Sequence, residues 1–479
     1  MIASMVVTIT MALLVAWQWA ESEAILDAPP TVALAPGETD ALALTTPLLS
    51  VRRAPAVLSR AINVASFRDD LDDLFDDLND TSCASFAIDG QVVASKNETV
   101  SVIPGSNMKL FVAAVALEVL GPDFIFTTRA TGEIQDDGAI HGDLYLIGGG
   151  DPLLATDWWP GVDPSTYPPF HLSRLEDLAD ALVARGLKEI RGVVVGDGNR
   201  YDDERYPPTW DPSIQKVEAG PIDALMVNDG HTNGLAPQLV DDDPAHGAAD
   251  ALTSLLVTRG VTVGGFAVSG QSLSDADLAV VNSAPLSDIV EEMLSTSDDN
   301  TAEMLLKEIG LAVAGIGSRQ AGLDVMRSVL AEWGIPIEGM AFADGSGLSN
   351  SNRVTCQAVV ALLVHGDLDD PVGQGLPVAG SSGTLTEAFL GTGLEDRLHA
   401  KTGTLTNLDL ANPDPDLPAV KALSGYLDLR GDGVIQFSLL LNGEGVADLA
   451  QYSPLWYDEL APALAAYPEG PATAALLPR

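Results

Sequence analysis

Positive charge is what this chain has least of. Its 24 Lys and Arg stand against 68 Asp and Glu, a net charge of −44. Nucleic acid and anionic lipid are both bound through positive charge, so neither is expected as a partner. The acidity reads as a solvated shell that keeps the protein soluble. Histidine is also scarce: the six are scattered with no ligand-like spacing, and no metal or cofactor is expected. Only two cysteines occur, Cys83 and Cys356. In an exported protein two cysteines can pair; two separate buried thiols is the other reading, and both stay open. There is no internal repeat, and no low-complexity tract beyond a linker near the N-terminus.

What remains is globular. The 479 residues are 46% hydrophobic, with 45 Gly and 30 Pro, enough for two or three domains. Met1 to Ala20 is apolar and near the minimum length for a membrane span, without a positively charged leader. Ser22-Glu23-Ala24 follows as a small-x-small cleavage site. Residues 1–24 are therefore expected to direct export, as a cleaved signal or a retained membrane anchor, with a Pro/Ala/Thr-rich linker over 25–55. A core domain is expected over 56–130. Its character changes over 131–280, where short strands alternate with Gly, Asp and Pro turns as in an insertion, and it resumes over 281–465 before a tail at 466–479. Ser66 to Leu78 reads as an amphipathic helix, and Cys83–Ile88 with Gln91–Ala94 as a hairpin around Asp89-Gly90. Ala422–Leu429 and Val434–Leu441 read as a second hairpin.

Three short motifs carry chemistry. They are Ser106-Asn107-Met108-Lys109, Ser297-Asp298-Asp299 and Lys401-Thr402-Gly403. Each alone is weak; in this order and these contexts they point to a serine active site acylated by penicillins. Ser106 follows Pro104-Gly105 at a helix start, where its backbone N–H and the helix dipole favour an oxyanion. A serine hydroxyl needs a base within hydrogen-bond reach, and Lys109 lies one turn on, on the same face. The next residues, Leu110-Phe111-Val112-Ala113, make this helix apolar nearly all round, hence buried, and a lone charge in it needs a reason. Lys401 lies in a strand beside the terminal hairpin. A lysine and a hydroxyl there suit a carboxylate, and Gly403 would let a ligand approach the strand closely. Ser297 precedes a helix through Ala302 and Glu303, placed to relay a proton to a leaving amine.

With these motifs the chain resembles the class C low-molecular-mass penicillin-binding proteins, the D-alanyl-D-alanine carboxypeptidase/endopeptidase family. Leu146-Ile147-Gly148-Gly149-Gly150-Asp151-Pro152, Val227-Asn228-Asp229-Gly230 and Asp344-Gly345-Ser346-Gly347-Leu348-Ser349 are similar to family segments, and the likeness runs from about Leu48 to beyond Asn442. The resemblance implies an α+β penicillin-binding protein/serine β-lactamase-like core, an antiparallel sheet flanked by helices, with extra domains inserted between the first and second motifs. It implies peptidoglycan stem peptides as substrates, β-lactams as inhibitors and an extracytoplasmic location. Ser106 would be the nucleophile and Lys109 its base. The backbone N–H groups of Ser106 and Thr404 would hold the oxyanion, Lys401 and Thr402 the terminal carboxylate, and Ser297 would pass a proton to the leaving D-Ala. Two features depart from the pattern. The family's second motif is Ser-x-Asn, and helix register puts Asp299 at the Asn position, with Asn300 one residue late. Where relatives often carry arginine after Gly347-Leu348-Ser349, this chain has Asn350, with Arg353 three residues on. A β-lactamase or esterase of the same fold, and a cell-wall binding protein weakened by Asp299, are the alternatives.

Overall fold

The computed structural model describes residues 54–161, 167–232, 239–406, 419–431 and 433–469. The expected export segment and most of the linker fall outside them, as does most of the tail. No described helix is long and apolar enough to cross a membrane.

A five-stranded antiparallel sheet forms the centre. Strands β1 (Cys83–Ile88) and β2 (Gln91–Lys96) come from the first half of the chain, and β3 (Leu398–Leu405), β4 (Ala419–Asp428) and β5 (Val434–Gly443) from the last; the order is β3-β4-β5-β1-β2. Asp89 and Gly90 both take positive φ, the geometry of a tight hairpin turn. One face of the sheet packs on helix α1 (Ala54–Asp70) and the C-terminal helices through Phe67, Phe86, Phe437 and Trp456. The amphipathic helix expected from Ser66 is thus the end of a longer one. It breaks at Leu71, and a further turn, Asp72–Asp77, carries Leu74 into the same core.

The other face carries the helices of the site. These are α2 (Met108–Leu120), α3 (Leu286–Thr296), α4 (Asp299–Ala314), α5 (Arg319–Glu332) and α6 (Cys356–His365). Helix α2 is buried on nearly every side, as its continuous apolar sequence demands, and Gly121 ends it with a φ of 85°. Between α2 and α3 the chain leaves the core at a neck where Phe126 and Ser283 exchange hydrogen bonds. Strands Thr127–Thr131 and Asp277–Asn282 pair just beyond it, in a second five-stranded sheet with its own apolar core. Helix Pro244–Thr258 covers that sheet. It starts four residues before the apolar run at Ala248, because Asp243 caps it and Pro244 occupies its first turn.

Cys83 and Cys356 form a disulfide across 273 residues, tying β1 to α6. Of the two readings left open by the sequence, pairing is the one realised. A loop of this length gives the crosslink a large entropic effect on the unfolded chain. Replacing both cysteines with alanine should therefore lower stability by about 2–4 kcal/mol, seen as a lower urea midpoint than that of the oxidised protein. An unchanged midpoint would show that the bond constrains little.

Candidate active site

Ser106 sits in a 3-10 turn, Gly105–Asn107, that runs directly into α2. Lys109 follows with no solvent exposure. Its Nζ donates to three acceptors: Ser106 Oγ at 3.1 Å, Asp299 Oδ1 at 2.6 Å and the Ser346 carbonyl at 2.7 Å. This geometry has a chemical consequence. A neutral amine has two hydrogens and one lone pair. The Ser346 carbonyl and an ionised Asp299 can only accept, so they take both hydrogens and leave the lone pair directed at Ser106 Oγ.

Ser297 closes α3 in the left-handed conformation, and the helix cap of α4 is its neighbour Asp298, which accepts from the N–H groups of Asn300 and Thr301. That leaves the Ser297 hydroxyl free to accept from Lys401 Nζ at 2.7 Å. Lys401 is fully buried and also donates to the Thr402 carbonyl at 3.0 Å. Burial, with the charge of Lys109 adding, holds its pKa well below that of an ordinary lysine.

Strand β3 is the sheet edge. Ala379 donates to Leu398 and Ala400 to Pro377, and among the described residues these outward bonds end at Ala400. Backbone groups alternate in direction along a strand, so Thr402 and Thr404 also point theirs outward, along the free part of the edge. Thr404 N lies 3.5 Å from where a Cβ on Gly105 would stand, which brings the strand beside the nucleophile turn. Gly403 serves this approach rather than the ligand's: a Cβ there would meet the Pro104 carbonyl at 3.0 Å and Asn107 Nδ2 at 3.1 Å. Thr402 Oγ1 pairs with Thr384 Oγ1 at 2.9 Å, and Thr404 Oγ1 accepts from Lys421, whose ammonium lies 4.3 Å from the Tyr452 ring centroid.

Asn300 lines the cavity that opens beside Ser297 and Asp299, and its side-chain carbonyl is bonded into the inserted region rather than to Lys109. It is buried, and its Oδ1 accepts from Gly220 N in the inserted region at 3.0 Å. Asp299 is the residue of the second motif that meets Lys109, as helix register requires. Arg353 is likewise committed elsewhere, donating to the carbonyls of Asn350 and Asn352. A cavity of about 310 Å³ opens from Ser297 and Asp299 into the inserted region, lined there by Trp159, Tyr167, Glu218 and His231. Neither this wall nor Thr384 and Lys421 is signalled by a sequence motif; each enters through chain folding.

Comparison with known proteins decides the family. The model of the D-Ala-D-Ala carboxypeptidase 3 (S13) family matches residues 67–238 and 231–454. The chain belongs to this family. It is 29% identical to the D-alanyl-D-alanine carboxypeptidase of Actinomadura sp. (strain R39), over 84% of this chain and 86% of that one. A carboxypeptidase of Mycobacterium tuberculosis is 30% identical over 75% of each. Penicillin-binding protein 4 of Haemophilus influenzae shares the fold, with a TM-score of 0.67 at 22% identity, covering 82% of this chain and 99% of that one. This family member is therefore a serine-type D-Ala-D-Ala carboxypeptidase with an α+β penicillin-binding core.

The ion pair at Lys109 yields a measurable consequence. Burial raises the Asp299 carboxyl to about 6, against the opposing pull of Lys109. Above that pH Asp299 is charged, and its ion pair with Lys109 opposes proton transfer to Nζ. Asp299→Asn keeps an acceptor and removes the charge. It should speed acylation by a penicillin about tenfold at pH 7.5, as about 1.4 kcal/mol of ion-pair attraction is removed. Variant and wild-type rates should converge below pH 6, where Asp299 is protonated. Stopped-flow acylation across pH 5–8 tests this; an equal or slower variant at pH 7.5 would remove Asp299 as a brake.

Proposed function

We propose that Ser106 is the acylating serine of a DD-peptidase that cleaves the D-alanyl-D-alanine end of peptidoglycan stem peptides, or the corresponding crosslink, and that penicillins acylate it. The observation that carries this reading is the amine of Lys109, 3.1 Å from Ser106 Oγ with its other hydrogen bonds fixed. Lys109 takes the hydroxyl proton as Ser106 Oγ attacks the penultimate D-Ala carbonyl. The backbone N–H groups of Ser106 and Thr404 hold the oxyanion. Lys401 and Thr402, on the edge of β3, bind the terminal carboxylate. The C–N bond breaks as Ser297 delivers its proton to the departing D-Ala nitrogen and takes another from Lys401 Nζ, which donates to it. Water then hydrolyses the ester and regenerates Ser106.

The stem peptide is proposed to lie antiparallel along the free edge of β3, with its acyl-side residues entering the cavity walled by Trp159 and Tyr167. Such a substrate is met outside the cytoplasmic membrane, which agrees with the export segment read in residues 1–24. A second reading, a binding protein with a slowed active site, is favoured by the 2.6 Å contact between Asp299 and Lys109.

Incubation of the full chain with a fluorescent penicillin, and separately with a D-Ala-D-Ala peptide, distinguishes the two. The peptidase reading expects a stable label and D-Ala release, both abolished in Ser106→Ala. In Lys401→Ala the KM for the peptide should rise, because a charged hydrogen bond to its carboxylate is lost. A stable Ser106-dependent label without D-Ala release would select the binding protein. A label that vanishes within seconds would select a β-lactamase.

A further inference from the structure

The loop Asp344–Ser349 lies beneath the nucleophile turn and is held from below by two buried acids. Glu303, on the first turns of α4, accepts at Oε1 from the N–H groups of Gly345 at 2.9 Å and Ser346 at 2.8 Å. Asp344 accepts from Gly347 N, Ser349 N, Asn352 Nδ2 and Trp210 Nε1, the last at 2.7 Å from the inserted region. Both acids are buried, at 2% and 0% exposure. The loop so fixed touches the site twice. Its Ser346 carbonyl accepts from Lys109, and a Cβ on Gly347, which has a φ of 92°, would stand 2.0 Å from the Gly105 carbonyl.

We infer that Glu303 is a positioning residue for the catalytic base: by fixing the Gly345–Ser346 peptide it sets the Ser346 carbonyl that directs the Lys109 lone pair at Ser106. This rests on the peptidase reading above. The inference extends to charge. Burial and the neighbouring Asp344 raise the Glu303 carboxyl to about 8, so it is neutral in the working range and still accepts through its carbonyl oxygen. The other charged group that senses it is Arg319 at the head of α5, itself bonded to Glu204. Neutrality matters for the loop. Ionisation of Glu303 would set a second negative charge beside Asp344 and loosen the loop that both acids hold.

The test compares Glu303→Gln, which keeps a carbonyl acceptor without a titratable proton, with Glu303→Leu, which keeps bulk without an acceptor. The readout is the acylation rate of the full chain by a fluorescent penicillin from pH 6 to 9. Each rate is normalised to the endpoint label, which counts folded sites. Glu303→Leu should slow acylation at least about tenfold per labelled site, since it leaves two buried N–H groups unpaired and the carbonyl loose. Glu303→Gln should restore the rate to within about threefold at pH 7. The wild-type rate should fall as pH passes 8, and that fall should be missing in Glu303→Gln. A folded Glu303→Leu labelling at the wild-type rate overturns the inference, as does a Glu303→Gln as slow as the leucine variant. If Glu303→Leu does not fold, Glu303→Gln decides alone, and an unchanged alkaline fall overturns the inference. Absence of Ser106-dependent label in the wild type overturns the peptidase reading, and this one with it.

Discussion

The ammonium of Lys109 has no route to water from inside α2. An unpaired charge at that depth costs several kcal/mol, so the surrounding elements must supply acceptors. They come from three places distant in sequence: Ser106 in the preceding turn, Asp299 at the head of α4 and Ser346 in a loop beyond α5. The position of each is a condition on the fold as a whole. The loop is anchored by Glu303 and Asp344, α4 is capped by Asp298, and the turn is pressed against β3 across Gly403. Satisfying the buried charge and building the geometry proposed for catalysis are one requirement. Hydrogen bonds that make the ammonium tolerable in the resting enzyme are also those that aim the neutral amine.

A second lysine makes this arrangement demanding. Lys401 is equally buried, and the charges of the two lysines oppose each other. Asp299 and the hydroxyl of Ser297 stand between the two amines as acceptors. A substrate carboxylate arriving at the edge of β3 would favour the charged form of Lys401.

Much of this was legible in the sequence, for local reasons. The apolar run after Ser106 required a buried helix and so a buried lysine. The alternation around Lys401 required a strand, and the distance of Asp299 from Ala302 fixed it by helix register as the second-motif residue that meets the base. The hairpins announced themselves by Asp89-Gly90 and by the turn at Arg430-Gly431. The less legible features depend on contacts made across long separations. Asn300 is drawn away by a backbone N–H eighty residues earlier in the chain. Gly403 answers to the backbone of the nucleophile turn, nearly 300 residues before it. Glu303 reads in sequence as one more acidic residue on an acidic helix; only the loop folded over it gives its carboxyl a task. The pairing of Cys83 with Cys356 likewise needed β1 and α6 to be neighbours, which no local pattern specifies.

The charge of the whole molecule bears on how such a site selects. At −44 the protein repels a carboxylate-bearing peptide at long range, though salt screens this beyond about 8 Å under physiological conditions. Long-range steering toward Lys401 is therefore absent, and recognition must come from contact. The means for it are short-ranged: backbone groups along the free edge of β3, hydroxyls on Thr402 and Ser297, and the buried amine of Lys401, whose charged form an adjacent carboxylate would favour. On the proposed reading, an acidic protein with its two site lysines buried attracts anions only where a carboxylate can be desolvated and hydrogen-bonded at once. That restriction favours a peptide with a free terminal carboxylate that also fits the strand edge over anions that offer charge alone.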